Sequence, residues 1–153
     1  MKIALFPGSF DPFTIGHESV VRRALSLFDK IIIAIGYNTN KMGYFPLEQR
    51  VQWIKNVFEG DEKIEVEVFE SLTVDLCVKK KAQFILRGLR TSADFEYERA
   101  IGQMNRSMHA EIETVFFLTL PEHTHVTSTI VRDIIRYGGD ASIFLPDKMK
   151  ISQ

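Results

Sequence analysis

Five short, mostly apolar runs recur along the chain and predict five β-strands. They are residues 3–6, 31–36, 64–69, 84–88 and 115–120, and several of them contain no charged residue. Continuous apolar runs of this length are typical of strands in a parallel sheet that is covered on both faces. We therefore expect a buried and mostly parallel sheet.

Segments with helical periodicity separate the predicted strands. In the first of them, which runs from His17 to Phe28, the apolar residues fall on one stripe, as expected for a helix that packs on a sheet. The tail at 144–153 has room for one short terminal helix. The other predicted helices cover residues 46–57, 72–80, 94–108 and 128–137.

The alternation of strands with helices across residues 1–153 predicts βαβ units and a single, doubly wound α/β domain. The sequence contains no internal repeat, low-complexity tract or linker. Its five-stranded sheet should be mostly parallel, and open sheets of this kind bind ligands just outside the carboxyl ends of their strands. Candidate functional residues are therefore those that follow each strand.

Composition excludes several classes of protein. With 153 residues, of which 45% are apolar and 25% charged, the chain has the make-up of an ordinary globular protein. Its net charge of −1 argues against broad binding to nucleic acid or to an anionic membrane. No apolar run approaches the roughly 20 residues of a membrane helix and no signal-peptide pattern is present, so we expect a cytoplasmic protein. The single Cys77 is expected to be a buried small apolar residue.

The stretch PGSFDPFTIGH, residues 7–17, joins the first predicted strand to the first predicted helix. Gly8 allows a tight turn close to a ligand, and Pro12 keeps its predecessor extended. Gly16 leaves space in front of the helix start, from which His17 projects. The free N–H groups and the dipole of a helix start favour a bound anion. Because the stretch matches neither GxGxxG nor GxxxxGK[ST], turn chemistry alone leaves open both a phosphate site and a purely structural turn.

Two motifs carry a resemblance to the nucleotidylyltransferase superfamily. Residues 9–12, SFDP, with residues 14–17, TIGH, resemble its (T/H)xGH signature, and residues 126–132, VTSTIVR, resemble its second motif. Further blocks resemble the phosphopantetheine adenylyltransferase family in particular, and the resemblance extends essentially from residue 1 to residue 150. They are ILRGLR at 85–90, ADFEYE at 93–98, MNR at 104–106, Lys41 with FPLEQR at 45–50, GGD at 138–140 and FLP at 144–146.

This resemblance implies a Rossmann-like fold and an adenylyltransferase activity. The family transfers AMP from ATP to 4′-phosphopantetheine and gives dephospho-coenzyme A and pyrophosphate, by direct in-line attack without a covalent enzyme intermediate. It implies Mg²⁺ as cofactor, held mainly by phosphates and water, with no metal site built from side chains. It also implies a homohexamer and feedback binding of coenzyme A.

The resemblance also assigns roles to individual residues. It implies that His17, Lys41 and Arg90 carry catalysis, by positioning the phosphates and neutralising their charge. For binding 4′-phosphopantetheine it implies Ser9, Lys41, Leu72, Thr73 and Arg87. For binding ATP it implies Ser9, Phe10, His17, Gly88, Leu89, Arg90, Glu98, His123, Thr124, His125, Val126, Thr127, Ser128 and Thr129.

Some of these residues also fit plainer structural roles. The two arginines can form surface ion pairs with Asp94 or Glu96, and a hydroxyl among residues 127–129 can cap a helix. Asp11 can brace the turn rather than touch a ligand.

The sequence departs from the family pattern in three places, the first being Ser9 in place of a threonine, which keeps the hydroxyl. His123 and His125 stand where relatives usually carry aromatic residues near the adenine, so the affinity for adenine can differ and can depend on pH. A zinc site at this pair is disfavoured, because no Cys or further His lies nearby in the sequence. Thr39 stands where relatives commonly carry proline, two residues before Lys41, which leaves the shape of that loop open.

Two other functions stay open at this point. A related small adenylyl- or cytidylyltransferase, with nicotinamide mononucleotide or glycerol 3-phosphate as acceptor, would share both superfamily motifs. These motifs cannot select an acceptor, and the RGLR–ADFEYE block favours phosphopantetheine. The other is a catalytically silent nucleotide-binding module with a regulatory role. The presence of His17, Lys41, Arg87 and Arg90 argues against a silent module.

Overall fold

Five parallel strands form one sheet in the computed structural model, which describes residues 1–149 and 151. Every neighbouring pair of strands is parallel, and the order across the sheet is β3-β2-β1-β4-β5. All five predicted strands are confirmed within two residues of their predicted bounds. The strands are β1 Ile3–Gly8, β2 Lys30–Gly36, β3 Ile64–Phe69, β4 Phe84–Leu89 and β5 Glu113–Leu118.

The five predicted helices are also confirmed, and the first differs most from its predicted bounds. It ends at Ala24, and the N–H groups of Leu27 and Phe28 both bond to the Ala24 carbonyl in a closing turn. Phe28 is nevertheless buried, so the apolar stripe continued past the end of the helix. In the described part of the chain, no helix is both long and apolar enough to span a membrane. The helices are α1 Ile15–Ala24, α2 Leu47–Val57, α3 Thr73–Lys80, α4 Ser92–Met108 and α5 Ser128–Arg136.

The terminal helix expected at 144–153 is wrong for the described residues of that tail. They contain the end of a short 3₁₀ helix, Ser142–Phe144, and a turn at 147–148. Leu145 is extended because the following Pro146 disfavours a helical backbone before it, and Leu145 and Met149 are buried in the core. Residues 150, 152 and 153 lie outside the described residues.

Helices cover both faces of the sheet, which confirms the doubly wound α/β arrangement. The residues of β2 from Ile31 to Ile35 are all buried and alternate between two separate cores. One core packs the sheet against α1, α2 and α5, and the other packs it against α3. Cys77 lies in the second core as predicted, and burial raises the pKa of its thiol to about 11.

The two central strands separate toward their carboxyl ends. All six residues of β1 pair with β2, but only Ala4 and Leu5 pair with β4. Beyond that point the ends of β1 and β4 diverge. The chain order also reverses here, because successive strands run outward from β1 on one side and from β4 on the other. Such a switch point leaves a crevice that is the usual ligand site of an open α/β sheet.

Candidate active site

Three clefts lie along the carboxyl edge of the sheet. The first has a volume of about 320 Å³ and opens between the ends of β1 and β4, beside the first turns of α1 and α5. The second, of about 350 Å³, borders the other side of the same two strand ends. The third, of about 960 Å³, lies over the ends of β2 and β3. Ser9 lines all three clefts, so the turn between β1 and α1 is their junction.

His17 lines the first cleft and forms a reciprocal cap with Thr14 at the start of α1. The N–H of Thr14 donates to Nδ1 of His17 at 2.9 Å, and the N–H of His17 donates to Thr14 Oγ1 at 3.4 Å. Because Nδ1 accepts a hydrogen bond, the proton of the neutral imidazole lies on Nε2. The rings of Phe10 and Phe13 lie 5.0 and 5.3 Å from the imidazole and hold its orientation. His17 can therefore offer the first cleft one oriented Nε2–H donor.

The surroundings of His17 keep its imidazole neutral. Burial first, and then the positive charges of Arg87 and Arg90, together lower the pKa of His17 to about 3. A neutral imidazole can donate a hydrogen bond to a phosphate oxygen across the whole physiological pH range. The ring acts as a fixed hydrogen-bond donor rather than as a group that titrates near neutral pH.

The low pKa of His17 predicts a pH-dependent stability of the ligand-free protein. The unfolded chain takes up a proton on His17 as the pH falls below 6.5, whereas the folded protein does so only near pH 3, so folding loses stability in that window. Between pH 7 and pH 5, the free energy of unfolding should fall by about 2 kcal/mol more for the wild type than for His17→Asn. Urea unfolding at both pH values measures this difference. Equal losses in the two proteins would mean that His17 is not held neutral.

Two ion pairs place arginines at the edge of the clefts. Nε and Nη2 of Arg87 donate to the two carboxylate oxygens of Glu98 at 2.9 and 2.6 Å. Nη1 of the same arginine donates to the carbonyl of Pro7 at 2.5 Å and so bridges the gap between β4 and β1. Arg90 pairs with Asp94 through its backbone N–H at 3.0 Å and its Nε at 3.3 Å. One of the plainer pairings, to Asp94, is thus present, but these residues line the first cleft rather than the outer surface.

The hydroxyl groups at the start of α5 are used to build the site. Thr127 caps the helix by accepting from the N–H of Ile130 at 3.1 Å, which confirms the capping role of one hydroxyl. Ser128 Oγ donates to the carbonyl of Pro12 at 2.8 Å and ties α5 to the turn after β1. The first N–H groups of α5 have no intrahelical partner and, together with those of α1, make this cleft suitable for an anion.

Most of the predicted ATP-binding residues lie around the first cleft. His123 has a buried Nδ1 atom with no hydrogen-bond partner among the described residues. Leu89, Thr124 and His125 do not line any of the three clefts; His125 instead packs edge-on against Phe144 at 6.2 Å. The predicted residues that do line the first cleft are Ser9, Phe10, His17, Gly88, Arg90, Glu98, His123, Val126, Thr127, Ser128 and Thr129.

The predicted phosphopantetheine residues are divided between the other two clefts. Thr73 and Arg87 line the second cleft, and Lys41 lines the third. Leu72 caps α3 in a largely exposed position and lines none of the three. The structure therefore brings Ser9, Arg87 and Thr73 together and places Lys41 on the far side of Ser9.

Two glycines in the turn after β1 differ in what they permit. A Cβ atom on Gly8 would lie 2.8 Å from the ring of Phe10, so this glycine makes room for an internal aromatic side chain. The prediction of a close approach to a ligand missed this role. A Cβ on Gly16 would meet only ordinary contacts, 3.5 Å from Thr14 and 3.9 Å from His123, so the fold itself does not require glycine there. The peptide bond before Pro12 is cis, which the sequence did not indicate.

Several residues of the site were missed. Thr14 fixes the tautomer of His17, and the spacing Thr-x-x-His matches the capping-box pattern that could have revealed it. Asp94 was predicted only as a surface partner of the arginines, and its place in the first cleft was not. Tyr97 and Asn105, on α4, line the second cleft, and no signal in the sequence marked them individually.

Comparison with known families and relatives places the chain among nucleotide-transferring enzymes. A family model described as cytidylyltransferase-like matches residues 5–134. A relative from Phocaeicola vulgatus, named phosphopantetheine adenylyltransferase, is 50% identical over 151 residues, which cover 99% of each chain. A relative of the same name from Flavobacterium johnsoniae is 48% identical over 153 residues and covers the full length of both chains.

Solved structures share the fold at much lower identity. A bifunctional NMN adenylyltransferase/ADP ribose pyrophosphatase from Francisella tularensis, complexed with AMP and a manganese ion, aligns with a TM-score of 0.72 at 18% identity, over 95% of this chain and 44% of that one. The nicotinic acid mononucleotide adenylyltransferase of Plasmodium falciparum, complexed with NaAD, aligns with a TM-score of 0.66 at 16% identity, over 95% and 91%. At these identities the likeness concerns the fold alone, and it confirms the predicted Rossmann-like class.

Proposed function

Since this chain belongs to the phosphopantetheine adenylyltransferase family, we propose that its first and second clefts hold ATP and 4′-phosphopantetheine for direct transfer of an adenylyl group. The chain is a nucleotidyltransferase, and the resemblance seen in its motifs is confirmed. A phosphate oxygen of 4′-phosphopantetheine attacks the α-phosphorus of ATP while the bond to the leaving pyrophosphate breaks. Because the substrate supplies the nucleophile, the protein only needs to align the two phosphates and to stabilise the charge between them.

The observation that supports this mechanism best is the oriented Nε2–H donor of His17 in the first cleft. Held neutral by burial and by two arginines, the imidazole donates to a non-bridging oxygen of the α-phosphate as charge builds up in the transition state. The first turns of α1 and α5 and the guanidinium of Arg90 hold the triphosphate in the same cleft. His123 also lines this cleft and is assigned to the nucleotide, although its Nδ1 atom is buried.

The second cleft suits the chain of the acceptor. Ser9 and Arg87 lie at its border with the first cleft, where the phosphate of 4′-phosphopantetheine must meet ATP. Beyond them the wall combines the hydroxyl of Thr73 with apolar side chains of α4, as expected for an amide-containing aliphatic ligand. Lys41 lines the third cleft together with Ser9, and we assign its positive charge to the phosphates that meet at Ser9. Leu72, which precedes Thr73 and lines none of the three clefts, is assigned to the acceptor by the family resemblance alone.

Magnesium enters this site with ATP. The carboxylates of Asp94 and Glu98 in the first cleft are both paired with arginine. Within the described residues, no group of three or more His, Cys, Asp or Glu side chains is arranged to hold a metal ion. Phosphate oxygens and water are therefore the ligands we propose, and the ion neutralises charge on the triphosphate.

The assembly and regulation of the family also belong to this proposal. Helix α4 buries only Glu98, while Tyr97, Ile101, Met104 and Met108 are exposed, which fits a homohexamer in which other copies cover this helix. Coenzyme A contains both the adenylyl and the pantetheine parts of the substrates, so feedback binding uses the same clefts. We propose that the enzyme acts in the cytoplasm.

The experiment that tests the proposed function is pyrophosphate release from Mg-ATP with one acceptor at a time. Release with 4′-phosphopantetheine, and not with nicotinamide mononucleotide or glycerol 3-phosphate, is the expected result, with dephospho-coenzyme A identified by its mass. Activity with another acceptor would retain the chemistry and replace the substrate. ATP binding without turnover of any acceptor would support a regulatory module instead.

A further inference from the structure

The loop that carries Lys41 is exposed, and it is held at both of its ends. At the first end, the N–H and the Oγ1 of Thr39 donate to the same carboxylate oxygen of Glu70 at 3.0 and 2.9 Å. A proline at position 39 could make neither bond, because it has neither an N–H nor a hydroxyl. Both partners are exposed to solvent, which makes this first anchor weak.

The second end of the loop is held by a buried carboxylate. Asp11 is 7% exposed, and its two oxygens accept from the N–H of Tyr44 at 2.7 Å and from the N–H of Phe45 at 2.9 Å. Hydrogen bonds to an ionised acceptor are about twice as strong as those between neutral groups. Asp11 lies in the turn after β1 and 33 residues from Tyr44, so it joins two separate segments of the active site.

Arg50 joins the same two segments through a second set of hydrogen bonds. It is 5% exposed, and its Nε donates to the carbonyl of Phe45 at 3.1 Å while its Nη1 donates to the carbonyl of Ser9 at 2.8 Å. Within the described residues, Asp11 and Arg50 form no direct ion pair. Each buried charge instead forms hydrogen bonds with backbone groups. These bonds reach Ser9 on one side and Tyr44 and Phe45, at the end of the Lys41 loop, on the other.

Gly43 shows how closely the loop sits against this pair. A Cβ atom at this position would lie 2.9 Å from Oδ2 of Asp11 and 3.1 Å from Nη2 of Arg50. Both atoms belong to buried side chains that are held by hydrogen bonds, so neither can move aside cheaply. Only a residue without a side chain lets the loop reach its anchors.

We propose that Asp11 and Arg50 are positioning residues that fix the loop of Lys41 to the turn of Ser9. The inference rests on the proposed function, because it assumes that Lys41 acts on the phosphates. Asp11 also contacts α5, because its backbone carbonyl accepts from Nη1 of Arg132 at 2.7 Å. That contact is made by the backbone and survives a change of the side chain, so side-chain variants of Asp11 isolate its effect on the Lys41 loop.

A double-mutant cycle between Asp11→Asn and Lys41→Ala tests this inference. In Asp11→Asn the amide nitrogen replaces an acceptor and one of the two loop anchors is lost. We expect kcat/KM for 4′-phosphopantetheine, measured at saturating ATP, to fall about 10- to 100-fold, the cost of displacing a catalytic group by about 1 Å. In the Lys41→Ala background the same change should cost less than about threefold, because the group that it positions is already gone.

The outcomes separate the inference from the function on which it rests. Normal activity of Lys41→Ala would remove Lys41 from the proposed mechanism. A strong effect of Lys41→Ala, with an Asp11→Asn loss of equal size in both backgrounds, would overturn the positioning role and leave the mechanism intact. A purely structural role of Asp11 would also raise the KM for ATP, which we expect to change by less than about threefold.

Two further variants keep the test decisive. Glu70→Gln is the matched control: it changes a carboxylate that holds the same loop, but at its exposed end, and should leave kcat/KM within about threefold of wild type. If Asp11→Asn does not fold, Gly43→Ala replaces it in the cycle, because it forces the loop away from the same anchor without changing a buried charge. Full activity of Gly43→Ala would contradict the inference.

Discussion

Replacing His17 by alanine should lower kcat about 10²- to 10³-fold, while the Kd of ATP measured by calorimetry changes by less than about threefold. In the proposed mechanism the imidazole donates from Nε2 to charge that develops on the α-phosphate, and that charge is largest in the transition state. The ground-state complex with ATP keeps the helix starts and Arg90, so it loses little affinity. A variant with nearly normal kcat would remove His17 from the mechanism.

A second substitution separates the donor from the helix cap. Asparagine at position 17 can place its Oδ1 near the position of the imidazole Nδ1, where it accepts from the N–H of Thr14, but it has no group at the position of Nε2. His17→Asn should therefore match the stability of the wild type at pH 7 and share the low kcat of His17→Ala. Recovery of kcat in His17→Asn would show that the cap, and not the donor, had been lost.

The pattern of apolar residues predicted the fold because each strand is buried on both faces. Ile31 to Ile35 in β2 could be recognised in isolation, since a run of five buried residues satisfies two cores at once. The tail from Phe144 onward was misread for a related reason. Leu145 and Met149 are buried without being helical. An apolar residue next to a proline indicates burial more reliably than it indicates a helix.

The site was predicted where its residues lie in one stretch of sequence, and it was missed where partners come from distant segments. The turn at 7–17 and the start of α5 were identified because each carries a family motif in one continuous stretch, and residues of both line the first cleft. The partner of Arg87 is Glu98 rather than the nearer Asp94 or Glu96, and this depends on how α4 lies across β4. No local pattern encodes such a contact. The bond between Asp11 and the loop of Lys41 is of the same kind, because it depends on how two loops meet in the fold.

Arg87 is the residue for which we expect the second large effect, a loss of affinity for 4′-phosphopantetheine when it is replaced. Three of its five N–H donors bond to Glu98 and to the carbonyl of Pro7, which leaves two for a ligand. The side chain lines both the first and the second cleft, and the proposed mechanism places the phosphate of the acceptor at their border. Its contacts with the protein hold the guanidinium in place before the substrate arrives, so little conformational entropy is lost on binding.

Replacing Arg87 by alanine should weaken binding of 4′-phosphopantetheine about 10- to 150-fold, as expected for the loss of a charge-assisted hydrogen bond of about 1.5–3 kcal/mol. The affinity for ATP should change much less. Calorimetric titration of each ligand alone measures both values.

The same variant leaves Glu98 unpaired. Because Glu98 is buried while Arg87 is 30% exposed, the free energy of unfolding should fall by about 3 kcal/mol.

Arg90→Ala is the matched control for the assignment of Arg87 to 4′-phosphopantetheine rather than to ATP. It removes an arginine two residues beyond Gly88 on the same connection, one that lines only the first cleft and pairs with the less buried Asp94. It should weaken ATP more than 4′-phosphopantetheine, which is the reverse of the pattern for Arg87→Ala. If both variants weaken both ligands equally, the two clefts do not hold separate substrates. An arginine that binds one phosphate through direct hydrogen bonds cannot affect a more distant phosphate to the same extent, because solvent in the site weakens the interaction of the two charges.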